Sequence, residues 1–287
     1  MRLNRKHFYI SILSIILILS GFYARNTNGE NSSYLKIVFL DVGQGDSIYI
    51  EAPNGRQVLV DGGPDARILP VLSDVMPVFD KSIDMLIATH ADADHIGGLN
   101  SVIDNYTVST ILENGYKGET KIYKTLQEKI IDKGIKKDIA KKGMHIVIDE
   151  KENIYIDILF PDRDVSKMKT NDGSVVGRLV YGDHSVMLTG DATLYTENII
   201  LQNENKTDLK SSILKLGHHG SNTSSGSAWL SAISPSYAII SAGLNNKYGH
   251  PHPDVMDRLN NLNIPHISTF KEGTIEFNTD GVNLWQK

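Results

Sequence analysis

The chain has 287 residues, 40% of them hydrophobic, enough for one large or two modest domains with a real core. A net charge of −5 excludes a generic nucleic-acid binder, although residues 117–142 hold nine lysines against four acids. The absence of cysteine excludes disulfides, thiolate zinc sites and a cysteine nucleophile, so any metal must be held by nitrogen and oxygen.

Arg2, Arg5 and Lys6 precede an uncharged, mostly apolar run over residues 8–23. Residues 1–25 therefore read as a signal peptide or an N-terminal membrane anchor. A buried core helix is the alternative, because 16 residues is short for a span. The cleavage signal is poor, with bulky Phe22 two residues before Ala24. The basic flank predicts an inside N-terminus and an extracytoplasmic body, membrane-anchored or secreted. Residues 26–34 are polar and form a linker, and residues 35–287 form the folded body.

Three short strands open that body, at residues 35–40, 47–51 and 57–60, with a turn at Pro53-Asn54-Gly55. They read as a meander. A helix over residues 68–77 precedes an apolar strand at 83–88, and the glycines after His95 lead into a helix through Leu99, Val102, Ile103 and Tyr106. Residues 120–133 are amphipathic, with Ile122, Leu126 and Ile130 on one face and Gly134 as the stop. Residues 154–160 form a strand, and 175–181 with 185–189 a hairpin. A helix runs through Leu194 and Ile199, strands lie at 213–216 and 237–241, a helix carries Val255, Leu259 and Leu262, and a last strand covers 274–277.

Strand after strand runs into His, Asp and Gly: Asp41, Asp61, His90 to His95, Asp191, His218 with His219, and His250. Loops at the carboxyl ends of strands are where open α/β sheets place their chemistry. Residues this far apart in sequence share one placement if they surround a metal. The densest stretch is Thr89-His90-Ala91-Asp92-Ala93-Asp94-His95. Two imidazoles and two carboxylates so close together would repel or stay protonated in a dry core, and a dication removes both problems.

The ligands divide into two sets. His90 and Asp92 suit a first ion, Asp94 and His95 a second, and Asp191 can bridge. Either His218 or His219 completes the second set. We assign the metal to His90, Asp92, Asp94, His95, Asp191 and His218, and catalytic roles to Asp94, His219 and His250. Two dications about 3.5–4 Å apart, zinc or manganese, would stabilise a bridging hydroxide as nucleophile. No Gly-x-Ser-x-Gly elbow or phosphate-cradling Gly-x-x-x-x-Gly-Lys loop is present to compete. Ser221, with the N–H groups around Gly220, is expected to contact a phosphate oxygen. His252, beside His250 in a proline-rich loop, is given to substrate, with Gln44 and Asn171.

The set Asp41-Val42-Gly43-Gln44-Gly45-Asp46-Ser47, His90-x-Asp92-x-Asp94-His95, Leu188-Thr189-Gly190-Asp191, Gly217-His218-His219-Gly220-Ser221 and His250-Pro251-His252-Pro253 resembles the metallo-β-lactamase-fold domain of ComEC competence proteins. The resemblance runs from about Leu35 to the C-terminus. It implies an α/β (α+β) fold, a four-layer αβ/βα sandwich with the metal site at one edge between two sheets. Asp92 stands where the superfamily has its second histidine, and Asn171 is the nearest substitute for a missing third-motif histidine. Both changes make the first site oxygen-rich, which suits manganese. The function implied is an exported, stand-alone hydrolase of phosphodiesters, with DNA the first candidate and residues 117–142 guiding its backbone. The rivals are a phosphodiesterase on small or cell-wall groups, of the phosphorylcholine-esterase type, and a non-catalytic binding domain. The cytoplasmic membrane is expected as a partner through the N-terminal segment, and no protein partner is expected.

Overall fold

The opening meander forms as β1 (Leu35–Phe39), β2 (Ile48–Glu51) and β3 (Gln57–Val60), each antiparallel to the next. The computed structural model describes residues 33–287, so the expected signal peptide or anchor lies outside the described residues. Among those described, no helix is long and apolar enough to cross a membrane. After the meander come α1 (Ile68–Val75), β4 (Ser82–Ala88), α2 (Ala93–Ile96), α3 (Leu99–Asn105), β5 (Thr107–Glu113), α4 (Lys121–Asp132) and β6 (Lys136–Ile139). The Thr120 hydroxyl caps α4 by accepting from the Tyr123 N–H at 3.2 Å, and Gly134 follows its end at φ +65°.

The second half runs β7 (His145–Asp149), β8 (Ile154–Phe160), β9 (Val176–Tyr181), β10 (His184–Leu188), α5 (Leu194–Asn203), α6 (Lys206–Leu209) and β11 (Ile213–Lys215). It continues through α7 (Ser227–Ile233), β12 (Tyr237–Ile240), α8 (Pro253–Asn261), β13 (His266–Ser268), α9 (Thr269–Glu272), β14 (Ile275–Thr279) and β15 (Leu284–Gln286). The expected hairpin is β9 and β10, antiparallel across Gly182 and Asp183.

The strands make two sheets, ordered β15-β14-β1-β2-β3-β4-β5-β6 and β13-β12-β11-β10-β9-β8-β7. Side chains alternate across β1. Ile37 and Phe39 pack between the sheets with Ile156 and Leu179, while Val38 packs outward under Leu72, Val102 and Leu126 of the helices. On the other sheet, Met187 and Leu214 face outward against Trp229, Leu230 and Leu259. Each sheet is thus apolar on both faces, which is why its inner strands read as continuous apolar runs. The layers are helix, sheet, sheet, helix, the four-layer sandwich expected. Parallel strands β3 and β4 on one sheet and β10 to β12 on the other bring their carboxyl ends to one edge.

Candidate metal centre

Asp61, the residue after β3, organises the loop that follows β4. Its Oδ1 accepts the Thr89 N–H at 2.8 Å and its Oδ2 the Thr89 hydroxyl at 2.7 Å. The same Oδ2 lies 2.8 Å from His95 Nδ1, which therefore carries its hydrogen. The Thr89 hydroxyl, already donating, accepts from His90 Nδ1 at 3.0 Å. From the other sheet, His219 Nδ1 donates to the Ser241 carbonyl at 2.8 Å.

Three imidazoles are left presenting Nε2 to one place. The Nε2 atoms of His90, His95 and His219, together with Asp191 Oδ1, are buried without a hydrogen-bond partner. His95 Nε2 stands 3.2 Å from Asp191 Oδ1, and His219 Nε2 stands 3.5 Å from Asp191 Oδ2 and 3.3 Å from Asp94 Oδ2. His90 Nε2 stands 3.8 Å from Asp191 Oδ2 and 3.6 Å from Asp92 Oδ2. Donors that each bind one cation at about 2.0–2.2 Å lie roughly 3.0–3.5 Å apart, so His95, His219, Asp94 and Asp191 fit a metal, while His90 stands slightly wider from Asp92 and Asp191.

His219, rather than His218, is the member of its pair among these buried donors. Both residues adopt left-handed backbone, at φ 49° and 55°, a conformation non-glycine residues seldom take outside functional sites. The turn sends His219 inward and leaves His218 at the rim. There its Nε2 is 3.7 Å from Asp191 Oδ2 and 3.2 Å from Asn171 Nδ2, with Nδ1 2.9 Å from the Thr223 hydroxyl.

Behind the donors lies a second layer. Asp46 Oδ1 is 3.2 Å from His219 Nδ1, and its Oδ2 is 4.0 Å from His95 Nδ1. Asp46 thus backs the imidazoles instead of joining their Nε2 atoms, although its oxygens lie close enough to be grouped with Asp191, His95 and His219. Its partner is Lys215 Nζ at 2.5 Å, a lysine wholly buried on β11 that also donates to the Leu216 carbonyl.

Charge follows this arrangement. Burial opposes it, yet Asp191 and Asp46 raise His219 to about 9, and Asp191 with Asp61 holds His95 well above the usual histidine range. Against the same burial, His219 and His95 keep Asp191 well below the usual carboxylate range, and Asp94 is also held low. Burial, with His219 and His218 beside it, pushes His250 down to about 4.

The remaining expected residues sit as follows. His250 is half-buried, its ring centroid 5.4 Å from that of His218 and 5.3 Å from that of His252. Gln44 ties the two sheets together, its Oε1 accepting the Gly243 N–H at 3.1 Å. Ser221 is buried, with its hydroxyl 2.9 Å from that of Thr223. Asp41 stays exposed outside the cluster. Sequence reasoning assigned no site role to Asp46, Asp61 or Lys215. The signal for Lys215 was available, since a lysine inside the apolar run Ile213-Leu214-Lys215-Leu216 implies a buried counter-charge.

A family model described as the metallo-beta-lactamase superfamily matches residues 40–243. The chain is 32% identical over 264 residues to ComE operon protein 3 of Bacillus subtilis, covering 86% of this chain and 33% of that protein. It is 28% identical over 270 residues to Competence protein ComA of Neisseria gonorrhoeae, covering 91% and 35%. The chain therefore spans about a third of the length of these relatives. Igni18, a metallo hydrolase from the archaeon Ignicoccus hospitalis, matches in fold with a TM-score of 0.54 at 14% identity, over 84% of this chain and 98% of that one.

Proposed function

The chain belongs to the metallo-beta-lactamase superfamily, and we propose that within it this protein is a two-metal phosphodiesterase acting on nucleic acid outside the cytoplasmic membrane. One observation carries the reading: the buried Nε2 atoms of His90, His95 and His219 have no hydrogen-bond partner and all converge on Asp191, at 3.8, 3.2 and 3.5 Å. His90, Asp92 and Asp191 would hold one ion, and Asp94, His95, His219 and Asp191 the other. The first set is oxygen-rich, as expected for manganese, and zinc is the other candidate.

When bound, the dications supply Lewis acidity and lower the pKa of water. The chain's own residues do the rest. Asp61, Thr89 and Ser241 fix each ligand imidazole by its Nδ1 hydrogen, and Asp46 with Lys215 backs His95 and His219. His218 lies at the rim, where substrate would meet it, placed by Thr223. His250 is neutral at physiological pH, so its role is that of a hydrogen-bond partner to substrate rather than a stored proton.

The likeness to competence proteins supports nucleic acid as substrate. So does the cavity where Lys117, Lys141, Lys142 and Arg163 outnumber Asp162 and Asp164. The apolar N-terminal run supports the extracytoplasmic placement.

The test is elemental analysis of protein purified without chelator, beside an Asp191→Ala variant, followed by turnover on DNA and on choline-type phosphodiesters. We expect about two manganese or zinc ions per chain, lost in the variant, and metal-dependent DNA cleavage. Turnover confined to choline esters would favour the small-molecule reading, and bound metal without hydrolysis of any ester a binding domain.

A further inference from the structure

We propose that Tyr195 and Tyr248 are base-stacking residues that make the cleft selective for unpaired strands, an inference that rests on the nucleic-acid reading above. A cavity of about 840 Å³ opens beside the metal cluster, lined by Lys169, Asn171, Leu194, Tyr195, His218 and Thr223 among others. Tyr195, at the start of α5, is 51% exposed. On another flank of His218, the His250 ring leads outward to Tyr248, which stacks on it at 5.6 Å and 19° and is 50% exposed. Leu194, next to Tyr195 in sequence, and Leu244, in the loop of Tyr248, are exposed as well. Two half-exposed aromatic surfaces thus flank the candidate reaction centre from separate elements.

Each ring has a cation for company. Lys247 Nζ lies 5.0 Å from the centre of the Tyr248 ring. Arg163 interacts with the Tyr195 hydroxyl, and Lys169 lines the same cavity. A ring beside a cation fits a nucleotide, whose base stacks while its phosphate takes the charge. Lys247 is exposed, so a base displaces it and the lysine ammonium passes to the adjoining phosphate. Paired bases are hidden within a duplex and cannot reach either ring. Unpaired bases can.

The test measures binding of the metal-loaded full chain to labelled strands with phosphorothioate linkages, which resist hydrolysis, by fluorescence anisotropy. Three probes of equal length are compared: a mixed-sequence single strand, its duplex, and an abasic strand with the same backbone. Stacking predicts that the normal strand binds roughly five- to a hundredfold tighter than the abasic one, with the duplex also weaker. Tyr195→Ala and Tyr248→Ala should each reduce that ratio several-fold, whereas Tyr195→Phe and Tyr248→Phe should keep it. Equal affinity for normal and abasic strands, or alanine variants with an unchanged ratio, overturns the proposal while leaving the nuclease reading intact. If no strand binds, yet bis(p-nitrophenyl) phosphate is hydrolysed with manganese, the nucleic-acid reading itself falls and this proposal with it.

Discussion

His90, His95 and His219 point the same nitrogen at one region because the hydrogen on Nδ1 is already committed, to Thr89, Asp61 and Ser241 respectively. His219→Ala should therefore lower metal affinity more than about a hundredfold, and His218→Ala by less than that, since supporting groups cost about 10–100-fold. Metal titration of the two variants separates them, and equal losses would return His218 to the ligand set. Lys215 poses a different problem, being a cation with no exposed surface. Lys215→Met takes from buried Asp46 its nearest cation and leaves it only the His219 and His95 imidazoles, and should cost up to about 3–5 kcal/mol by urea unfolding of chelator-treated protein. Adding Asp46→Leu should restore part of that, and a cost under about 1 kcal/mol for Lys215→Met would refute the pairing. Acidity follows from the same contacts. His219 rises from an ordinary 6.5 to about 9, so its stabilisation of the metal-free protein is complete below pH 6.5 and is lost as pH rises through 9. Asp191 is depressed, so its contribution is present above 3.8 and is lost as the solution becomes more acid. The urea midpoint in chelator should accordingly fall between slightly acid and alkaline pH. Metal demands neutral imidazoles, so calorimetry in buffers of differing ionisation heat should register proton release on binding.

At the level of elements, backbone hydrogen bonds add to the Asp61 side chain in holding the loop of His90 to His95 against the strand ends. Gly62 N–H donates to the His95 carbonyl at 2.7 Å, and Gly98 N–H to the Gly63 carbonyl at 2.9 Å. A Cβ on Gly98 would fall 1.9 Å from the Gly62 carbonyl oxygen, a rigid neighbour. Gly98→Ala should therefore destabilise by about 3 kcal/mol and reduce metal content as His95 shifts. Wild-type metal content and melting would show that α2 and α3 can move. Much of this architecture was readable from residues. Inner strands such as β1, β4 and β10 are covered on both faces and announce themselves as apolar runs. The edge strands did not, nor did inner β5, whose first half alternates with exposed Thr107 and Ser109. β6 is Lys-Lys-Asp-Ile, charged as exposed edges are when they resist pairing with other chains, and β13 and β15 are only three residues each. The donor clusters were legible by composition, but the choice between His218 and His219 was not. It depends on two successive left-handed residues, which adjacency in sequence cannot signal.

Across the whole molecule, the lysine-rich stretch divides by position. Lys124, Lys129, Lys136, Lys137 and Lys142 are paired with Glu119, Asp104, Asp138, Glu113 and Glu204. Lys117 and Lys141 line a cavity together with Lys142 and with Arg163, whose carboxylate neighbour is Asp162, and have no ion pair of this kind among the described residues. Charge reversal at Lys117 and Lys141 should weaken DNA binding and lower the salt slope by about 0.7–0.9 per lysine, whereas reversal at Lys124 should do neither. An unchanged slope would remove the cavity from the DNA path. The sheet holding the ligand loop has one further property, set by its order. β1 lies between β2 and β14, with Leu35 opposite Thr279 and Phe39 opposite Ile275. β1 thus waits for β14, and until then one border of β1, whose Leu35, Ile37, Val38 and Phe39 are at most 1% exposed when folded, has nothing to lie against. A pairing between strands so far apart in sequence closes late, so the sheet that carries the candidate site is complete only once β14 has joined it.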